Sequence, residues 1–464
     1  MRKLYPTLAL LTIGTALGCG GSFPTAIPTT GGTAPPASPT PVPGVATPTP
    51  RPGGAGALDL SGGAPVGTLY FTTNYGRTAT DTSKDQLYAM RSDGSGRTLI
   101  AENNGATGTT GLFFVGLSAD GKYIAYGTSG VGAANQNTFI ARADGSGKRT
   151  IVTGGYAFDV AFTSDGQHIS YLMISPTGTS QDVVVENTDG SGRRIVTTGT
   201  FATGALSAFG LSASSNKLAA CGDIGLIVES LNGTGRVTLV GTEFQIGSSP
   251  FFSPDGSQIA INLQHKTDTT RRGIYVLNTD GSTNLATAVP VLSASVGTLE
   301  AWTASGLVYS AARRNNGITV VVEYEWLVAN PDGSSQRSLT KWAPTAFDNI
   351  GDIGRGVLSP DKTWLIYSSR NLFRVALAGG APQQLTNTPT GSNFQPVFNS
   401  AGTKVTFLSS RDDRGNVPGG DGGGGRGTLY IMDADGANQT RLIEGFSTDR
   451  PEALRTKMIG GKTR

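Results

Sequence analysis

Along most of the chain apolar and polar positions alternate with period two. Lys122-Tyr123-Ile124-Ala125-Tyr126, Gln258-Ile259-Ala260-Ile261, Lys404-Val405-Thr406-Phe407 and Leu429-Tyr430-Ile431-Met432-Asp433 read as short, half-buried strands. Two turn signatures punctuate them. The first is an Asp-Gly or a close relative at Asp93, Asp144, Asp189, Asn232, Asp280, Asp332, Gly379 and Asp435. The second lies between successive copies of the first, as in Leu117-Ser118-Ala119-Asp120-Gly121, Thr163-Ser164-Asp165-Gly166, Phe252-Ser253-Pro254-Asp255-Gly256 and Leu358-Ser359-Pro360-Asp361. Asp or Asn bonds its own backbone nearby and Gly accepts positive φ, so both signatures close tight hairpins.

Spaced roughly every 50 residues, the paired turns define a repeat of four short strands, here a, b, c and d. One such sheet cannot bury both faces alone, whereas sheets stacked radially can. The fold class is therefore all-β, a β-propeller of four-stranded antiparallel blades. Eight c-d turns give eight blades; seven is the alternative, because the fourth unit lacks its Asp-Gly, the sixth is irregular and the seventh is short. Gly67-Thr68-Leu69-Tyr70-Phe71 enters directly as a strand b, and Asp449-Arg450-Pro451-Glu452-Ala453-Leu454 has the character of a strand a. The C-terminal strand is thus expected to complete the first blade and close the ring.

The run Phe-Ser-Pro-Asp-Gly with its strand b at 252–261, and Leu-Tyr-Ile-Met-Asp-Ala-Asp-Gly followed by Arg-Leu at 429–442, resembles the WD-like propeller repeats of TolB and its relatives. The resemblance covers residues 67 to about 455 and implies the propeller fold. TolB itself carries an α/β domain before its propeller; here a different segment stands in that place.

That segment begins with a positive Arg2-Lys3, a fourteen-residue apolar stretch Leu4 to Leu17, and Ala16-Leu17-Gly18-Cys19. The stretch is short for a membrane span and reads as a signal peptide over residues 1–18. Its end resembles the lipobox of bacterial lipoproteins, which implies acylation of Cys19; Gly20 in the next position implies an outer-membrane anchor. Residues 19–64 are rich in Pro, Thr, Ala and Gly, with ten of the 24 prolines between Pro24 and Pro52. Such a composition does not fold by itself and forms an extended tether, at about 3.1 Å per residue roughly 100 Å or more in reach. The propeller is expected over 65–455 and a short tail over 456–464.

Composition narrows the function. With 36 Lys+Arg against 33 Asp+Glu the charge is +3, so no nucleic-acid footprint is required. Two cysteines and two histidines, His168 and His265, do not make a disulfide framework or a His/Cys metal site. Cys221, in an apolar strand, reads as a small core residue. The Asp412, Asp413, Asn416 and Asp421 cluster has oxygen ligands for calcium but no EF-hand spacing and lies among glycines. No Gly-x-Ser-x-Gly elbow is present. Glu323 and Glu325 share one face of a strand at a separation, roughly 7 Å, that permits paired carboxylates, although a solvated strand with Tyr324 and Trp326 turned inward explains them equally. No cofactor is called for.

In an up-and-down blade the a-b and c-d turns share one end of the ring, and the variable b-c and d-a loops share the other. Loops on a rigid scaffold are where function usually sits. The b-c loops of units 5, 6, 7, 8 and 1 offer Arg271, Arg272, Arg313, Arg314, Arg370, Arg411, Arg414, Arg426 and Arg77, while units 2 to 4 are almost neutral, with Asp223 as the charge among them. Arg suits bidentate contact with carboxylate or phosphate, so these are the candidate partner-binding residues; local pairing with Asp268, Asp412 and Asp413 is the competing account. The expected function is a lipid-anchored, monomeric, cell-envelope scaffold for a protein or acidic peptide, with a carbohydrate-active or peptide-processing propeller as the alternative.

Overall fold

The computed structural model describes residues 58–442 apart from 66–67, 74–85, 94, 103–110, 119, 130–136, 156, 164, 176, 202–203, 213, 294–297, 315–320, 344–355, 389–390, 400, 410 and 412–427. The leader, Cys19, most of the tether and the expected closing strand at 449–454 lie outside the described residues. Within them the chain forms eight antiparallel sheets, each a sequential meander. The eight-bladed count holds over the seven-bladed alternative.

Blade 1 shows strands b, c and d at Leu69–Thr73, Gln86–Met90 and Thr98–Glu102. Blade 2 runs through Gly111–Leu117, Tyr123–Ser129, Asn137–Arg142 and Arg149–Thr153, and blade 3 through Ala157–Phe162, His168–Ile174, Ser180–Asn187 and Arg194–Thr200. Blade 4 comprises Leu206–Leu211, Lys217–Gly222, Gly225–Ser230 and Val237–Val240. In blade 5 strand a is split into Phe244–Ile246 and Phe251–Phe252, followed by Gln258–His265, Arg272–Asn278 and Leu292–Ser293. Blade 6 has the longest strands, Gly306–Arg314 and Val321–Ala329, between Thr298–Thr303 and Arg337–Trp342. Blade 7 comprises Gly356–Leu358, Trp364–Ser369, Asn371–Ala376 and Gln383–Gln384; blade 8 comprises Asn393–Phe398, Lys404–Ser409, Thr428–Asp433 and Thr440–Arg441.

The period-two alternation has a simple outcome. In strand c of blade 3, Val184 packs toward blade 2 while Val183 and Val185 pack toward blade 4. Every blade therefore contributes to two cores, and each core lies between consecutive blades. The series closes: Leu69 and Met90 of blade 1 share a cluster with Phe394, Leu408, Leu429 and Ile431 of blade 8. Ring closure thus rests on apolar packing between the first and last sheets, in addition to any strand exchange.

Strands a sit at the narrow centre. A Cβ added to Gly116 would stand 3.0 Å from the Val160 carbonyl, and one on Gly210 would stand 2.6 Å from that of Pro250, so neighbouring inner strands nearly touch. Leu58 and Leu60 are also buried, in the core between blades 1 and 2. Leu58 donates its N–H to the Gly96 carbonyl (3.1 Å) and Ala64 to that of Gly121 (2.8 Å). The ring's own packing therefore begins before the boundary expected at 65, because two leucines spaced two apart in an extended run reach one apolar cleft.

Candidate functional site: the loop end of the ring

The two ends of the ring differ in chemistry. At the turn end the aspartates spend their carboxylates on their own hairpins. In the a-b turn of blade 5, Ser253 Oγ donates to Asp255 Oδ1 (2.6 Å), and the Ser257 N–H donates to the same oxygen (3.0 Å). The same geometry holds Asp120, Asp165 and Asp361. In the c-d turns Asp144, Asp189, Asp280, Asp332 and Asp435 each accept the N–H two residues on. These donors hold the carboxyls of Asp144, Asp189, Asp280 and Asp332 below the usual range, and that of Asp255 down to about 2. The recurrent Asp-Gly pairs are hydrogen-bonded turns throughout, the reading their chemistry gives before any calcium role.

Their glycines do more than adopt positive φ. Those of the c-d turns pack on or beside strand d of the preceding blade: a Cβ on Gly333 (φ +80) would fall 1.9 Å from the Val291 carbonyl, and one on Gly145 2.4 Å from that of Ile100. Beside Gly190 and Gly233 the neighbour is an arginine. Arg149 of blade 2 reaches Glu186 of blade 3 (3.0 Å) and the Thr188 carbonyl (3.1 Å). Arg194 of blade 3 repeats this on Glu229 and the Leu231 carbonyl of blade 4, where Arg236 also bonds Glu229 (2.7 Å). Both carboxylates are 1% exposed. Composition alone does not reveal these clasps; the signal was a Glu four residues before the turn glycine, where the other blades place an apolar residue.

At the loop end the described arginines are largely engaged. Arg271 donates to the Leu285 carbonyl and stands 5.0 Å from the Phe244 ring centroid. Arg411 donates to Ser409 Oγ (2.8 Å), Asn393 Oδ1 (2.9 Å) and Gln439 Oε1 (3.0 Å) and lies over Tyr430 at 4.5 Å. The Arg370 carbonyl accepts the Asn393 N–H (2.7 Å), so Arg370 and Arg411 meet at a buried Asn393 between blades 7 and 8. Arg272 is exposed at the start of its strand. Arg313 and Arg314 end strand b of blade 6, but their side chains, like Arg77, Arg414, Arg426 and the Asp412 to Asp421 cluster, lie outside the described residues.

On the neutral side of this end the described loop residues of blades 3 and 4 bond to one another. Ser175, Thr177 and Thr179 form a hydroxyl chain with links of 3.1 and 2.8 Å. The Phe201 N–H donates to the Thr179 carbonyl (3.2 Å), and a Thr200–Gly204 bridge closes the loop that carries Phe201, which is 47% exposed. Asp223 donates its N–H to the Ala205 carbonyl (2.8 Å) and accepts that of Ala205 (3.2 Å). Inward from this patch, strand a is bulged near its start. Register shifts fall at Ser207, Glu300 and Gln395 in blades 4, 6 and 8, and all three are exposed. Gln395 additionally adopts a left-handed φ of 51°.

The remaining chemistry-bearing residues are dispersed. His168 starts strand b of blade 3 at the turn end, whereas His265 Nδ1 accepts the Asp268 N–H (3.0 Å) at the loop end of blade 5. Burial pushes the Cys221 thiol up to about 12. Glu325 pairs with Lys341 (3.3 Å) and Trp326 is buried, as the solvated-strand account requires. Among the described residues no group of three or more His, Cys, Asp and Glu could hold a metal ion.

No known family profile matches the sequence, nor does any curated protein. Solved structures similar to the chain include the dihydro-heme d1 dehydrogenase NirN, at 12% identity over 86% of this chain and 76% of that one, with a TM-score of 0.50. An oligogalacturonate lyase in complex with manganese is similar at 14% identity over 75% and 95%, TM-score 0.46. A TolB from Agrobacterium tumefaciens is similar at 14% over 82% and 91%, TM-score 0.32. What the likeness to NirN shows is the fold alone, and the described residues form an eight-bladed β-propeller.

Proposed function

We propose that the chain is an exported scaffold, tethered to the cell envelope through Cys19, whose loop end binds a protein or peptide partner. The observation that carries this reading is the route of the chain into the ring. Residues 58–64 cross the turn end, bonded to Gly96 and Gly121, so the loop end lies opposite the point where the tether joins. The turn end is committed to its own hairpins and to contacts between blades, whereas connections of unequal length stand on the loop end, the arrangement in which a rigid scaffold presents variable segments. The arginines of blades 5 to 8 and blade 1 would meet an acidic partner surface there.

Metabolic labelling with a fatty-acid probe tests the tether: label on the wild-type chain and none on Cys19→Ser is expected, and label retained by the variant refutes it. Crosslinking in intact envelopes tests the face. Reversing Arg272 and Arg314 together to Glu should reduce partner capture, and unchanged capture removes the arginines from the interface.

A further inference from the structure

Beyond a macromolecular partner, we propose that the loop end of blades 3 and 4 carries a binding site for a neutral oligosaccharide, built on Phe201, Thr177, Thr179 and Asp223. Phe201 is a large aromatic side chain left nearly half in water. Its own backbone is held: Phe201 donates its N–H to the Thr179 carbonyl, and Thr200 beside it bridges to Gly204. An exposed aromatic on a fixed backbone binds at little cost in ordering, the condition under which a surface ring becomes an anchor. It is also of no use to the ring's own cores, which close without it.

The polar groups beside it select the ligand class. Thr177 and Thr179 are exposed, and each hydroxyl supplies one donor and two acceptor positions, more than their mutual bond consumes. Asp223 is exposed and contributes a carboxylate of which one oxygen takes the Ala205 N–H at 3.2 Å. The loops are joined by contact: Gly204 lies against Ile224 and Asp223, and Phe201 against Thr179. The patch therefore gathers an exposed aromatic, paired neutral hydroxyls and a carboxylate acceptor on loops that touch one another. A pyranose has the complementary construction, with an apolar C–H face on one side and hydroxyls that both donate and accept around its edge. A lone carboxylate amid hydroxyls disfavours polyanions, and one aromatic with few placed polar groups is the usual make-up of a small-molecule subsite. Ser207, exposed on the bulge of the adjoining inner strand and bonded to the Cys221 carbonyl (3.4 Å), extends the polar surface toward the centre of the ring for a second sugar unit.

The test is calorimetric titration of the full chain with maltohexaose, cellohexaose and chitohexaose as probes. At least one should bind saturably and without dependence on salt. Phe201→Ala should weaken that binding by about tenfold or more, Phe201→Trp should retain it, and Thr177→Val with Thr179→Val should weaken it while leaving thermal unfolding unchanged. Leu99→Ala, which removes a comparably exposed apolar residue from strand d of blade 1, should leave affinity unaltered. No saturation by any of the three probes up to about 10 mM overturns the proposal, as does binding that survives Phe201→Ala. Because the readout is a purified binary titration, its failure leaves partner crosslinking at the same end untouched, and the converse also holds.

Discussion

Arg149→Ala is expected to destabilise the ring at the junction of blades 2 and 3. The substitution leaves the Glu186 carboxylate, 1% exposed, without the guanidinium at 3.0 Å, and removes the donor that serves the Thr188 carbonyl at 3.1 Å. Deleting one partner of a buried pair costs about 3–5 kcal/mol. The Arg149 side chain is 29% exposed, so water re-enters part of the site and a loss of about 2–3 kcal/mol is the working value. The loss should depend on pH in a defined direction. Burial holds the Glu186 carboxyl above its ordinary range, with Arg149 opposing that rise, so removing Arg149 raises it further. A carboxyl raised in the folded state favours folding below its unfolded pKa, and that contribution is lost as pH rises through the folded value. The deficit of the variant should accordingly be largest near neutrality and shrink in mild acid. The compensating experiment is Arg149→Met with Glu186→Leu. Positions four before the turn glycine are Met90, Ala141, Leu277, Ala329, Val375 and Met432 in the other blades, so this site accepts an apolar side chain in the same backbone. The double variant should return to within about 1 kcal/mol of wild type. Urea unfolding followed by intrinsic fluorescence at several pH values gives the comparison. A single variant as stable as wild type at neutral pH, or a double variant no better than the single, refutes the account.

Three further outcomes follow from the same geometry. Gly333→Ala places a Cβ 1.9 Å from the Val291 carbonyl at a φ of +80°, so it should lower the unfolding midpoint clearly, while Gly178→Ala, with open space around its Cβ, should be milder although its φ is also positive. The a-b turn aspartates, Asp255 at about 2 and Asp120, Asp165 and Asp361 also lowered, stabilise the fold above the ordinary carboxyl range; that contribution is lost as pH falls through their folded values, so circular dichroism should report acid unfolding between about pH 4 and 2. Persistence of the full signal at pH 2 counts against it. Cys221, fully buried with its thiol pushed up to about 12, should resist alkylation by iodoacetamide at pH 8 until the chain is unfolded, and rapid native labelling would show that blade 4 opens.

The fold was legible because its determinants are local and repeated. A turn glycine after Asp144 or Asp189 announces a hairpin from four residues of sequence, and eight such announcements fix the architecture. What Gly145 meets across the blade boundary was not legible, because Ile100 comes from a different repeat and only the ring brings the two together. Glu186 and Glu229 were within reach of sequence, standing where the repeat otherwise has an apolar residue, yet the arginines that clasp them across the blade boundary, Arg149 and Arg194, lie 37 and 35 positions away in the preceding units. The arginines at the loop end illustrate the opposite difficulty. Sequence places Arg271 and Arg411 on the correct loops but does not give side-chain direction, and both fold back onto aromatic rings of their own blades. A long stem and a planar head that stacks on aromatic faces make that retreat available to Arg wherever a Phe or Tyr lies beneath.

Phe201 escaped notice for a related reason, since an isolated aromatic in a loop belongs to no period. Its position bears on how such a ring divides its work. At the turn end the residues that close a hairpin also contact the next blade, so one substitution there disturbs two cores at once, and chemistry added to that end would compete with packing. In the described loops of blades 3 and 4 the connections touch each other, as Phe201 touches Thr179 and Gly204 touches Ile224. A side chain there can be chosen for what it meets in solution, with little consequence for the eight cores beneath. The split extends to the charges: the turn aspartates are held by their own hairpins, whereas Asp223 at the loop end remains exposed. Stability and recognition are thereby assigned to opposite ends of the same strands, and a substitution at one end should be separable from the other in any assay that reads both.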